Sequence, residues 1–246
     1  MTSRWAYEAL AVEQFANNPF EKQFFHLDAV MSRATYKKDW WIAAMRERLA
    51  KCEHLINQNA PPDSFTTPLR VLNTGFSEEA KLFPPYKFMF MDDLKKNQFN
   101  LRSGIIMRNT LDSLKEFYID LFNNANEKKE ILISQLTDTP QKEESFNTAK
   151  NKYENESLEE MVRSSNQTDR LVVTNEKIIQ RFEPIYHINA SERFFQAPLF
   201  SSVKNFFRNP VNTMTANVLV IWLMSVFLYL TLQLNLFRKV IELFSR

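Results

Sequence analysis

The stretch ANVLVIWLMSVFLYLTLQLNL, residues 216–236, is 21 residues long and holds no charge, and the uncharged run around it extends from Asn209 to Phe237. A helix rises about 1.5 Å per residue, so this length covers the roughly 30 Å hydrocarbon core of a bilayer. The competing reading is a buried core helix of a soluble protein. Such helices are usually shorter and carry a polar stripe, whereas Asn217, Ser225, Thr231, Gln233 and Asn235 do not share one face. The sequence therefore predicts a transmembrane helix within residues 211–237 and a short tail over 238–246. Trp222 and Tyr229 fall inside the span, away from the rims where aromatic side chains gather. The whole chain has a mean hydropathy of −0.37, so the other segments are water-facing in character.

Orientation follows from charge, and the two ends of the chain disagree. The tail carries Arg238, Lys239 and Arg246 against Glu242, which places it in the cytoplasm and residues 1–210 on the other side. Yet the opening MTSRWAYEALAVEQF has no apolar core of a secretory signal. Two arrangements reconcile these facts. Either the chain is tail-anchored with its bulk in the cytosol, or earlier spans of a longer polypeptide carry residues 1–210 across.

Composition removes whole classes of function. A phosphate-cradling loop needs glycines five apart, and the 2 glycines here are Gly75 and Gly104. The same scarcity excludes dinucleotide-binding and jelly-roll folds. A net charge of +2, from 31 Lys+Arg against 29 Asp+Glu, gives no field that would capture nucleic acid. One cysteine, Cys52, excludes an internal disulfide framework, so burial must hold the fold.

The remaining chain reads as mainly helical. Ser3 can cap a helix over Arg4 to Phe15, with Trp5, Ala9, Val12 and Phe15 on one face and Arg4 paired with Glu8 on another. Asn17-Asn18-Pro19 stops it. Asp28 caps a stretch to about Asn57, with Trp41, Met45, Leu49, Ala50, Cys52 and Ile56 inward. After Ala60-Pro61-Pro62-Asp63, Thr67-Pro68 opens a helix from Leu69 to about Leu82. Pro84-Pro85 separates that from a short helix near Met91 to Lys96. Leu101 to Leu136 is the longest periodic run, with Leu114, Phe117, Tyr118, Leu121, Phe122 and Ala125 on a stripe that resumes at Ile131, Leu132 and Leu136. A helix of about 50 Å cannot stand alone in water, which predicts a bundle or long hairpin. Residues 140–168 read as a solvated helix or connection, and Leu171 to Thr174 as a strand with no evident partner.

Candidate chemistry is sparse. Cys52 and His54 stand two apart on a helix and diverge, so they cannot grip one metal. His26 and His187 have no ligand partner at suitable spacing. Asp92-Asp93 and Glu143-Glu144 read as solvated charges at helix starts. Asn155, Asn166 and Asn189 open glycosylation triplets of a kind expected by chance in an Asn-rich chain. No catalytic residue, metal site or cofactor is expected.

Two segments carry a resemblance. Ser3 to Phe15 (SRWAYEALAVEQF) resembles the segment after the fifth membrane helix of White/ABCG-like ATP-binding-cassette exporter permeases. Ile178 to Tyr186, Arg193 to Pro198 and Asn217 to Met224 are similar to the approach to the last membrane helix in the fused ATPase-permease members of Gram-negative bacteria. Residues 60–170 match loosely, as the enlarged external loop between these helices. The resemblance implies a re-entrant interfacial helix over 1–17, a helical extracytoplasmic domain over 18–210, and the last membrane helix. It implies that Arg4, Trp5, Glu8 and Phe15 anchor the first helix at the interface, while Trp222, Ser225 and Tyr229 pack on neighbouring membrane helices or touch lipid. It further implies a bacterial inner membrane, residues 1–210 in the periplasm, and partners in the remaining permease helices and ATPase domain of a dimeric transporter. Those parts lie outside these 246 residues. A different class of reading is a helical adaptor, tail-anchored by residues 216–236, whose Leu101 to Leu136 stripe binds a partner helix.

Overall fold

The computed structural model describes residues 2–82, 88, 90–95, 99–187, 198–206 and 209–234. They are mainly helical and fall into two compact units. The first is drawn from Met1–Phe25, Thr148–Ser164 and Pro184–Arg246, the second from His26–Asn147 and Ser165–Glu183.

The second unit is a helical core closed by a small hairpin. Helix α2 (Phe25–Thr35) runs through a π-helical turn, Tyr36–Trp41, into α3 (Ile42–Asn57). Helical backbone angles at Thr35 and Ile42 show that the run is continuous. The wider turn brings Tyr36, Trp41 and Ile42 all into the interior. Asp28 lies in the first turn of α2 and is not its cap; its carboxylate binds Lys129 Nζ at 2.5 Å. Helices α4 (Thr66–Leu82), α5 (Met91–Lys95) and α6 (Leu101–Leu136) complete the core. Trp41, Met45, Leu49 and Cys52 meet Leu69, Leu72 and Phe76, with Met107, Leu111, Leu114 and Tyr118 from α6. Steps of three and four within each set place them on one helical face. Each such side chain contributes about 1.5–3 kcal/mol by leaving water. Gly75 permits the close approach of α3 to α4, since a Cβ there would lie 2.8 Å from Met45 Sδ and 3.2 Å from the Trp41 ring.

Several expectations shift in detail. Ala50 is exposed, and Ile56 is half-buried. The bounds of α6 match the periodic run, and Asn100 with Ser103 forms a reciprocal capping box at its start. Its buried stripe ends at Ala125, however, and Ile131 is 50 % exposed. The hydrophobic period alone cannot tell how far the neighbouring helices reach. Helix α7 (Pro140–Tyr153) buries none of its residues, as its polar composition predicts. The strand expected at Leu171 does have a partner: β1 (Leu171–Val173) pairs antiparallel with β2 (Ile178–Gln180), Leu171 opposite Gln180. Thr174 closes the turn, its hydroxyl accepting from Lys177 N–H and donating to Lys177 C=O. Pro84-Pro85 and Lys96 lie outside the described residues.

The first unit holds α1 (Thr2–Ala16), α8 (Glu156–Arg163), the antiparallel pair β3 (Val203–Phe206) and β4 (Asn209–Asn212), and α9 (Thr213–Gln233). Ser3 lies within α1 and is not its cap. The Asn155 side chain caps α8, accepting from Leu158 N–H, and Val162 is buried. The polar reading of residues 140–168 therefore misses one packed amphipathic turn. Phe15 and Phe25 set their rings against Tyr186, centroids 6.2 and 5.4 Å away, with the Arg163 guanidinium 5.9 Å from the same ring.

Helix α9 is, among the described residues, the one helix long and apolar enough to cross a membrane. It starts at Thr213 and not at 211, because Val211 and Asn212 pair with Lys204 and Val203 in the β-ribbon. The Asn212 side chain then caps the helix, accepting from Met214 N–H at 2.8 Å. The remainder of the expected span after Leu234, and the tail 238–246, lie outside the described residues.

Candidate functional site at the foot of the apolar helix

Three polar side chains from distant parts of the sequence meet where α9 begins. Glu8 comes from the middle of α1, Lys204 from β3 and Asn217 from the second turn of α9; they are 2 %, 4 % and 0 % exposed. Glu8 Oε2 accepts from Lys204 Nζ at 2.6 Å and from Asn217 Nδ2 at 3.0 Å, while Oε1 accepts from the Phe200 backbone N–H at 3.1 Å. Lys204 also donates to Asn217 Oδ1 at 3.0 Å, and its ammonium sits 4.7 Å from the centre of the Trp5 ring. Asn217 Nδ2 makes a further bond to the Trp5 carbonyl at 3.0 Å. Thr213 anchors the first turn of α9 by donating to Ser201 C=O at 2.5 Å.

Burial of a charge is costly unless it is paired and its remaining hydrogen-bonding capacity is met. Here both conditions hold, and burial still pulls the Lys204 ammonium below its usual range, against the opposing pull of Glu8. A desolvated lysine can serve as a nucleophile when its nitrogen is free. This nitrogen is held by a carboxylate, an amide oxygen and a ring face, so the arrangement ties α1, β3 and α9 together.

The expected anchor residues take different positions around this knot. Arg4 is exposed, Trp5 half-buried against Lys204, and Phe15 buried against Tyr186. Glu8 is paired with Lys204 and not with Arg4, because the buried ammonium needs the carboxylate more than a solvated guanidinium does. Trp222, Ser225 and Tyr229 line one face of α9 at steps of three and four, with Trp222 and Tyr229 68 % and 63 % exposed. The Ser225 hydroxyl is satisfied within the helix, donating to Ile221 C=O at 2.9 Å. Sequence reasoning missed Lys204 and Asn217. A polar amide two residues into an otherwise aliphatic run was the available signal for Asn217. Nothing local marks Lys204.

A second buried ion pair stands in the other unit. Glu79, fully buried on α4, accepts from Lys37 Nζ at 2.5 Å and from the Tyr118 hydroxyl at 2.6 Å. The Lys37 ammonium lies 4.1 Å from the Trp41 ring centre. Burial lowers Lys37 and raises the Tyr36 and Tyr118 hydroxyls, with Glu78 and then Glu79 raising Tyr36 further and Glu79 raising Tyr118. Cys52 is buried and its thiol is pushed up to about 12, the state of an inert core cysteine. No group of three or more His, Cys, Asp and Glu suited to a metal occurs among the described residues. Comparison with protein-family models, with curated proteins and with solved structures finds no match to this chain.

Proposed function

We propose that the chain is a membrane-anchored, non-enzymatic helical domain that contributes the external loop and last membrane helix of an ATP-binding-cassette exporter permease. The supporting observation is the bond network from Glu8 and Trp5 to Asn217, which joins the start of the chain to the foot of the apolar helix. A domain inserted between two adjacent membrane helices needs its entry and exit at one place. In this reading α9 spans the bacterial inner membrane toward a cytoplasmic tail, residues 1–210 face the periplasm, and the Trp222, Ser225 and Tyr229 face packs on the other permease helices. ATP-driven closure of the cytoplasmic domains would reach the external loop through α9.

A tail-anchored adaptor with a cytosolic domain is the second reading, favoured by the exposure of most of α9 from Val218 onward, Trp222, Leu223, Phe227 and Tyr229 included. An immunoblot of native membranes with an antibody against residues 236–246 separates the two. A band several-fold heavier than 29.1 kDa supports the exporter. A band near 29 kDa, with residues 1–200 protected from protease in intact spheroplasts, overturns it in favour of the adaptor.

A further inference from the structure

No loop separates the β-ribbon from the apolar helix. β4 ends at Asn212 and α9 begins at Thr213, and Asn212 serves both, pairing with Val203 in the ribbon and capping the helix through Met214 N–H. The pairing even runs one rung past the strand: Val211 stands opposite Lys204, Asn212 opposite Val203, and the Thr213 N–H donates to Ser202 C=O at 3.1 Å. The Thr213 hydroxyl, fully buried, adds its bond to Ser201 C=O, and the Ser201 hydroxyl donates in turn to Val203 C=O at 2.9 Å. One turn further along the helix comes a second tier, where Asn217 accepts from Lys204 on β3 and donates to Glu8 and the Trp5 carbonyl on α1. The tiers are four residues apart, about 6 Å along the axis. A single tier would act as a pivot, whereas two at different heights fix the direction of the helix as well as its position. A hinge needs residues at an element end whose backbone angles are free to change. At this junction each of the three consecutive residues is held from the β3 side.

We propose that these two tiers of bonds make α9 and the β3–β4 ribbon one rigid lever, so that a change in the tilt of α9 swings the ribbon instead of being absorbed at the membrane surface. The inference rests on α9 spanning the bilayer, which both readings above share. A membrane helix tilts to fit its apolar length to the hydrocarbon thickness, over about 0–40°. The ribbon strands are four residues each. That makes an arm of about 13 Å, whose far end a tilt change of about 20° moves by about 4–5 Å. The coupling is reciprocal: a partner that displaces the ribbon tilts α9.

The test uses the full chain with Cys52→Ser in phosphatidylcholine bilayers of short, intermediate and long acyl chains. Spin labels at Asn209→Cys and Leu223→Cys, both exposed positions, give the ribbon-to-helix distance by double electron–electron resonance. A bifunctional label bridging Leu219→Cys and Leu223→Cys gives the tilt of α9 in aligned bilayers. The expected result is a tilt that grows as the bilayer thins, with a distance that stays narrow and constant. A distance that shifts as α9 tilts, by up to about 4–5 Å, reveals a hinge and overturns the lever. A tilt that does not respond to thickness removes the motion the lever would transmit and also overturns it. Thr213→Val with Asn217→Leu deletes the side-chain bonds of both tiers from the helix side, and should broaden the distance and make it follow thickness. An unchanged narrow distance in that variant assigns the rigidity elsewhere and overturns the role of these bonds; the unsubstituted junction remains a complete test if the variant fails to fold. A Leu223 label open to a water-soluble nickel chelate overturns the membrane reading itself, and is distinct from every outcome of the distance measurement.

Discussion

Replacing Glu8 by leucine tests the central claim that a desolvated ion pair ties α1 to the apolar helix. The substitution leaves the Lys204 ammonium, the Asn217 amide and the Phe200 N–H without their shared acceptor. Removing one partner of a buried pair costs about 3–5 kcal/mol, since the other charge stays buried and uncompensated. At about 1.4 kcal/mol per tenfold, the opening equilibrium of α1 should rise roughly a hundred- to several-thousand-fold. Hydrogen exchange by mass spectrometry, on the full chain in detergent micelles, reads this on peptides from Thr2–Ala16, with α6 peptides as internal reference. Lys204→Met should cost less, because Glu8 keeps the Asn217 and Phe200 donors. The double variant Glu8→Leu with Lys204→Met should recover part of the loss, because no lone charge then remains buried although the Phe200 N–H still lacks its acceptor. Unchanged α1 exchange in Glu8→Leu, or a double variant as loose as the sum of the singles, would refute the reasoning.

The second unit offers parallel tests. Tyr118→Phe deletes a hydrogen bond to a charged acceptor and should cost about 1.5–3 kcal/mol in denaturant unfolding, while Glu79→Ala strands Lys37 and should exceed it at about 3–5 kcal/mol. Cys52 should resist a thiol reagent at pH 8 until the unit unfolds. Its folded value of about 12 stands above the ordinary 9.0, so the unfolded chain loses this proton first. Its contribution is complete below pH 9 and is lost between about pH 9 and 12, at roughly 1.4 kcal/mol per pH unit. A Cys52→Ala variant measured across the same range should lack that slope. Leu111→Ala should destabilise by about 2–5 kcal/mol, whereas Ile131→Ser, beyond the end of the buried stripe, should stay within about 0.5 kcal/mol. Equal losses would place the core boundary further along α6.

Much of the helical layout was legible because it depends on local signals. Asn17-Asn18-Pro19 ends α1 at Ala16 as its turn chemistry requires, and the Asn18 side chain accepts from Phe20 and Glu21 N–H beyond it. Periods of three and four on α3 and α6 identified Trp41, Met45, Leu49, Cys52, Leu114 and Tyr118 as core, while the inward face of α4, Leu69, Leu72 and Phe76, was not read. The uncharged run likewise announced α9. What stayed hidden depends on partners far along the chain. Glu8 looked like half of a surface pair because Arg4 is four residues away, whereas its actual partner is 196 residues distant. The strand at Leu171 lacked a visible mate because Ile178–Gln180 is too short to announce itself by alternation. The π-helical turn before α3 has no sequence signature, and only the joint burial of Tyr36, Trp41 and Ile42 reveals it.

The distance between Glu8 and its partners also orders the life of the chain during synthesis. Lys204 and Asn217 emerge from the ribosome 196 and 209 residues after the carboxylate they bind. The second unit, drawn from residues 26–147 and 165–183, is made in full before either appears. Closing a loop of this length is slow relative to local helix formation. For that interval Glu8 lacks the Lys204 and Asn217 side chains that it binds in the finished fold, while Tyr186, which packs on Phe15, is already made. The first unit therefore matures only after translation has passed through the first turns of α9, and until then α1 is the segment on which a holding chaperone or a membrane surface would act.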